Sequence, residues 1–211
     1  MEETKRSHDN SVAVAAHYDA ILEEGNDPVL DPPVLQAYMR QWDGDTFLDL
    51  LQLTKEKTVL EIGVGTGRLA LQTAPKCKTF YGIDLSSKTI ARAKRHLASF
   101  PNVHLLHGDF LSYPFFQTFD VIYATLTFLH IQEKETAFHR VASLLRADGC
   151  FVLSIDKQTS SVLKYGNREL RIFPDNPKET TALLQAAGLR VTNQTETPLA
   201  YLFKAEKQTR I

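Results

Sequence analysis

The chain has little of most features that would mark a specialised class. Its 211 residues include two cysteines, Cys77 and Cys150, widely separated and without a CxxC partner. That usage supports neither a disulfide framework nor a zinc site, and both read as buried thiols in a reducing, cytoplasmic setting. Neither sign of charge dominates: 24 Lys and Arg against 25 Asp and Glu leave a net −1. No global basic field therefore favours nucleic acid or an anionic membrane. No apolar run approaches the ~20 residues that cross a bilayer. The opening MEETKRSHDNS lacks the apolar core of a secretory signal. Internal repeats and low-complexity tracts are absent. What remains, at 43% hydrophobic and 23% charged residues, is the composition of a soluble globular chain that can bury a core and leave a cleft.

Two patterns divide the chain. Residues 1–54 carry helical spacing, with residues 1–11 expected as a loose terminus and 12–24 as a helix. GNDPVLDPP interrupts it, and helices are expected over 34–42 and 46–53. Residues 55–211 alternate strand and helix. Strands are expected at 58–62, 79–84, 103–108, 119–124 and 150–156, with two more at the C-terminal end. Helices fall at 68–74, 86–99, 134–146 and 177–188. Alternation of this kind means right-handed crossovers and a mostly parallel sheet covered on both faces. The expectation is an α/β, Rossmann-like seven-stranded sheet with an N-terminal helical lid. Ligands in such sheets bind at the carboxyl ends of the strands.

The stretch VLEIGVGTGRLA sits at such an end. Three glycines, Gly63, Gly65 and Gly67, follow a strand that closes near a carboxylate, Glu61. A phosphate loop would need GxxxxGK with Ser or Thr, and no lysine follows. A dinucleotide fingerprint would need glycine at position 68, which is Arg68. A pyrophosphate would not welcome Glu61, whereas a cation would. At this point the sequence resembles the class I S-adenosylmethionine-dependent methyltransferases. Val59 to Gly67 match the family's first motif. Asp84 in YGIDLS matches the acidic residue that receives the ribose hydroxyls, and Asp109 in HGDF the one that holds the adenine amine. FDVIYA, LLRADGCFVLSI and LLQAAGL continue the match in order, over roughly residues 55–205. The resemblance implies S-adenosylmethionine as cofactor, held by Tyr18, Glu61, Gly63, Gly65, Gly67, Asp84, Leu85, Asp109, Phe110 and Thr125. It implies no metal. A carboxylate at Asp84 suits a diol, as it would for NAD; Asp109 beside Phe110 is harder to explain for NAD.

The cofactor's sulfonium is electrophilic, so positioning can supply most of the acceleration. A thiolate or free amine needs little help, and a hydroxyl needs a base. His130, after the fourth strand in TLTFLHI, is the candidate base. Tyr18, Tyr38 and Trp42 offer amphipathic walls for a lid, and residues 157–176 could form a hairpin walling the pocket. Three other signals carry no function. DPPV at 31–34 precedes the glycine motif and lacks the aromatic of nucleic-acid amino-methyltransferases. The basic helix around Lys88, Arg92, Lys94 and Arg95 has no second patch to support nucleic-acid binding. No Pro-Cys pair follows the fourth strand. With no second recognition domain, the expected acceptor is a small molecule, without nucleic-acid or membrane partners. The alternatives are a protein or RNA acceptor, or a non-catalytic or NAD-using protein of the same architecture.

Overall fold

The computed structural model describes residues 2–208, with side chains from Asn10 onward. Its strands are β1 (Thr58–Ile62), β2 (Thr79–Asp84), β3 (Val103–His107), β4 (Phe119–Thr125), β5 (Leu145–Asp156), β6 (Val162–Tyr165), β7 (Arg168–Arg171), β8 (Leu189–Glu196) and β9 (Ala200–Lys207). Seven of them form one sheet in the order β3-β2-β1-β4-β5-β9-β8. The first five are parallel, and β9 runs antiparallel between β5 and β8. The strand order reverses at β1, whose neighbours are β2 and β4. Chains leaving these strands diverge there and open a crevice above their carboxyl ends. β6 and β7 form a separate hairpin.

The helices are α1 (Glu2–Glu23), α2 (Pro33–Met39), α3 (Gly44–Leu51), α4 (Ala70–Thr73), α5 (Ser87–His96), α6 (Lys134–Leu144) and α7 (Pro177–Ala186). Alternation along the strands sends side chains to opposite faces. Leu60, Ile62, Ile122, Ala124, Leu153 and Phe203 pack with Ala137, Phe138 and Val141 of α6 and Leu184 of α7. Val59, Phe80, Val121, Tyr123, Val152 and Leu202 pack with Phe47 and Leu51 of α3 and Ile90 and Ala93 of α5. Both faces of the central strands are thus sealed, which is why those strands are almost uniformly apolar. Ser86 caps α5 by accepting the Thr89 amide at 3.0 Å. Asn176 caps α7 ahead of Pro177.

Three features depart from the sequence expectation. Helix α1 begins at Glu2, not near residue 12. Its middle is tied to distant parts of the chain: Asn10 Nδ2 donates to the His130 carbonyl at 2.9 Å, and Ser11 Oγ to Asp109 Oδ2 at 2.9 Å. Strand β5 starts at Leu145, directly after α6, and ADG ends no helix. Leu145 pairs with Phe119 and Cys150 with Val121, so the intervening residues bulge from the ladder; Asp148 takes φ +62° there. Finally, Pro75 helps confine the helix after the glycines to α4 and a 3₁₀ turn over Ala74–Lys76.

The N-terminal segment is latched to the sheet domain. Buried Asp27 accepts from Arg92 and His96 of α5, each at 2.8 Å. Asp19 accepts from Ser86 Oγ, and Lys88 pairs with Glu23. Among the described residues, no helix is long and apolar enough to cross a membrane.

Candidate functional site

A cavity of about 270 Å³ lies above the carboxyl ends of β1, β2 and β4, with α1 as its roof. Every site residue expected from the sequence lines it except Gly67. The three glycines have three different reasons to be glycine. A β-carbon on Gly65, at φ +54°, would meet nothing within 4 Å among the described residues; this is backbone left bare toward the cavity. A β-carbon on Gly63 would fall 2.1 Å from Thr127 Oγ1, and one on Gly67 3.1 Å from Leu97 Cδ1. Those two serve packing against the β4 loop and α5, and all three have positive φ, where glycine is favoured.

The carboxyls converge from the first three strands. Asp84, closing β2, accepts the Gly65 amide at 2.9 Å, the Ser86 amide at 2.9 Å and Thr89 Oγ1 at 3.1 Å. These bonds aim it across the glycine loop, while burial pushes its pKa up against the pull of the two amides. Asp109 is fixed by the Leu111 amide at 2.8 Å and by Ser11 of the roof. Phe110 beside it is buried, with the Arg140 guanidinium 5.7 Å from its ring centre. Glu61 is 3% exposed and accepts from the Tyr123 hydroxyl at 2.8 Å. Burial raises its carboxyl to a pKa of about 8.

The loop after β4 closes the opposite wall. Thr125 Oγ1 is buried without a hydrogen-bond partner among the described residues. Leu126 adopts φ +53°, a costly conformation for a residue with a β-carbon. Thr127 stabilises it by donating to the Ile62 and Thr125 carbonyls at 3.1 and 3.0 Å. His130 follows on a 3₁₀ turn. Its Nε2 is hydrogen-bonded to the Tyr18 hydroxyl at 2.8 Å, the rings meeting edge-on, and its buried Nδ1 has no partner among the described residues. Burial drives its pKa down to about 4, so the imidazole is neutral at physiological pH. Burial likewise raises the Tyr18 hydroxyl above its ordinary value. Lys134 clamps this wall: its Nζ donates to the Phe128 and Phe173 carbonyls and to Asp175 Oδ1 at 2.7, 2.9 and 2.6 Å.

Several expectations change. Trp42 and Tyr38 stand outside the cavity, Trp42 against the α3 core and Tyr38 edge-on to it at 5.1 Å. Met39 lines the cavity in their place. Hairpin β6–β7 forms as expected but does not line this cavity. It packs on the N-terminal segment, where Tyr165 accepts from Asn26 and Arg168 from β7 grips Glu24. Ser11, Asn10 and the Asp43–Arg68 ion pair were not legible, because each couples positions far apart in sequence and leaves no local pattern.

The lining fits one kind of ligand. Glu61, Asp84 and Asp109 offer only acceptors when ionised. Among the described residues, the one Lys or Arg side chain lining the cavity is Arg68, and its guanidinium is already bound to Asp43. A pyrophosphate finds no free Lys or Arg among the described residues lining this cavity. A diol, an amine and a positively charged centre each find a carboxyl.

Fold and site together define a Rossmann-like protein with a carboxyl-rich cavity at the carboxyl ends of its strands. The family profile described as a methyltransferase domain matches residues 59–149. An uncharacterized methyltransferase of Staphylococcus carnosus is 30% identical over 162 residues, covering 74% of this chain and 72% of the relative. One from Anoxybacillus flavithermus is 37% identical over 123 residues, 56% of this chain and 57% of the relative. The chain thus spans little more than half the length of that relative. The solved DhpI–SAH complex superimposes with a TM-score of 0.77 at 19% identity, over 97% of this chain and 100% of that one. The chain belongs to the class I S-adenosylmethionine-dependent methyltransferase family.

Proposed function

We propose that the chain transfers a methyl group from S-adenosylmethionine to a small-molecule acceptor held beneath α1. The observation that carries this reading is the convergence of Glu61, Asp84 and Asp109 on one cavity where, among the described residues, the one lining guanidinium is already bound to a carboxylate. In this reading Asp84 receives the ribose hydroxyls and Asp109 the adenine amine, with Phe110 against the ring. Gly65 lets the ligand approach the backbone, Gly63 holds the loop, and Leu85 and Thr125 complete the walls. Thr125 Oγ1, buried and without a partner among the described residues, is a polar atom that a bound ligand would satisfy. Glu61 faces the cationic end. When bound, the cofactor supplies an electrophilic methyl group, and the protein's task is orientation and exclusion of water.

His130 and Tyr18 border the space left for the acceptor. A neutral imidazole with a pKa of about 4 is a weak base and a competent hydrogen-bond partner. Its role is to orient the acceptor, in contact with it, and the chemistry then favours nucleophiles that need little deprotonation, such as a free amine or a thiolate. Residues 1–54 act as the lid, since Asn10, Ser11, Val14 and Tyr18 supply the roof. A helix laid over the cavity suits a small molecule better than a polymer. The test is transfer of labelled methyl from S-adenosylmethionine across metabolite amines, thiols and phenols, with bulk protein and RNA run in parallel. Label entering a small molecule supports the reading. Label entering only protein or RNA refutes the acceptor class.

A further inference from the structure

The side chain behind Glu61 has no part in the reading above. Tyr123 is fully buried on β4 and does not line the cavity. Its hydroxyl sits 2.8 Å from Glu61 Oε2 on one side and 2.8 Å from Thr73 Oγ1 on the other. Thr73 Oγ1 in turn reaches the Leu69 carbonyl at 3.1 Å. A hydroxyl both donates and accepts, so this chain can run in either direction. With Glu61 ionised, Tyr123 donates to the carboxylate and Thr73 can donate to Tyr123. With Glu61 neutral, its O–H donates to Tyr123, Tyr123 to Thr73, and Thr73 to Leu69. The Leu69 carbonyl also accepts the Gln72 and Thr73 amides at 2.8 and 3.0 Å, so neither direction leaves it bare. Both protonation states of a buried carboxyl are thereby satisfied without a permanent counterion.

We infer that Glu61, Tyr123 and Thr73 form a reversible hydrogen-bond chain that lets Glu61 release a proton to solvent as a cationic ligand enters the cavity, with Tyr123 as the positioning residue. The surroundings agree. Among the described residues, the charged groups acting on Glu61 are Arg68, Asp43 and Asp84. Arg68 favours ionisation but is shared with Asp43, and the two aspartates oppose it. Burial is the largest influence and holds the proton on in the absence of a ligand. A positive centre beside the carboxyl reverses that balance. The inference rests on the cofactor reading above.

The test is calorimetric titration of the full chain with S-adenosylhomocysteine, which keeps the amino-acid ammonium, in buffers of different ionisation enthalpy. A group with a pKa of about 8 is roughly nine-tenths protonated at pH 7, so wild type should release close to one proton per ligand. Affinity should then strengthen about tenfold per pH unit between pH 6 and pH 7.5. Glu61→Gln should lose both the buffer dependence and the slope. Tyr123→Phe removes the donor to the carboxylate, so its affinity at pH 7 should fall several-fold and recover as pH rises. Thr73→Val removes the acceptor that serves the neutral state and should shift the midpoint the other way, toward lower pH. It also keeps the question answerable if Tyr123→Phe does not fold. Wild-type binding without proton release overturns the inference, as does an equal loss of affinity at every pH in both variants. No binding of S-adenosylhomocysteine at any pH would instead remove the cofactor reading itself.

Discussion

Replacing the three glycines by alanine, one at a time, separates packing from ligand access. All three have positive φ, at +76°, +54° and +98° for Gly63, Gly65 and Gly67. A left-handed alanine costs roughly 1–2 kcal/mol. At Gly65 nothing lies near the added methyl, so that strain is the whole cost to stability. At Gly67 the neighbour is the end of the flexible Leu97 side chain at 3.1 Å, which can yield at little extra cost. At Gly63 the methyl would fall 2.1 Å from Thr127 Oγ1, and Thr127 anchors the strained Leu126 turn. Overpacking there adds roughly 1–3 kcal/mol. For a chain of this size each kcal/mol lowers Tm by about 2–4 °C. Gly63→Ala should therefore lose the most stability in urea denaturation. Gly65→Ala, the least destabilised, should lose the most affinity for S-adenosylhomocysteine relative to its stability, because its methyl occupies ligand space. Thr127→Ala should restore part of the Gly63→Ala loss, a coupling of roughly 0.5–3 kcal/mol. Wild-type affinity in Gly65→Ala, or equal stability of Gly63→Ala and Gly65→Ala, would refute the division of roles.

Other consequences follow from the same geometry. Asp84→Ala should weaken S-adenosylhomocysteine by roughly 1.5–3 kcal/mol, the value of hydrogen bonds to a charged group; Asp109→Ala should cost less, since Phe110 still covers the ring, and calorimetry reads both. Lys134→Met leaves Asp175 buried at 4% exposure without its partner, so denaturation should show a loss of about 3–5 kcal/mol, with much of it recovered in Lys134→Met/Asp175→Leu. Stability should also depend on pH in a stated direction. The Glu61 pKa is raised on folding from 4.5 to about 8, so its contribution is complete below pH 4.5 and lost as pH rises through 8. His130 is lowered from 6.5 to about 4, so its contribution is complete above pH 6.5 and lost as pH falls through 4. Between these limits the two slopes oppose each other. From pH 6.5 to 8 wild type should lose roughly 1 kcal/mol per unit, the slope easing toward pH 8, and Glu61→Gln should flatten that limb in urea titrations.

Much of the sheet was legible because its signals are local. TVLEI and FDVIYA are continuous apolar runs, as doubly covered strands must be, and Ser86 stands one residue before the helix it caps. The glycine motif and the aspartates after β2 and β3 were legible for the same reason. What escaped depends on contacts between distant segments. Nothing near Asn10 announces that the His130 carbonyl needs a donor, so the first part of α1 read as a loose terminus. Nothing near Gly67 announces Leu97, so the glycine read as a ligand contact. In sequence Trp42 suits core packing as well as a pocket wall; its carbonyl accepts from Ser154 Oγ at 2.5 Å, which fixes that turn against the sheet and leaves the cavity edge to Met39. ADG read as a helix stop because Asp-Gly favours turns. The turn is there, but inside β5, where pairing of Leu145 with Phe119 resumes the ladder first.

The central claim is that this carboxyl-rich cavity holds an adenosyl cofactor that bears positive charge and no phosphate. Thermal denaturation with S-adenosylhomocysteine and with NAD, each at matched excess, addresses it most directly. Ligand at 100 times its dissociation constant adds about 2.7 kcal/mol, which for this length raises Tm by about 5–10 °C. The account predicts that rise with S-adenosylhomocysteine, its loss in Asp84→Ala, and no rise with NAD. A rise with NAD alone would contradict it.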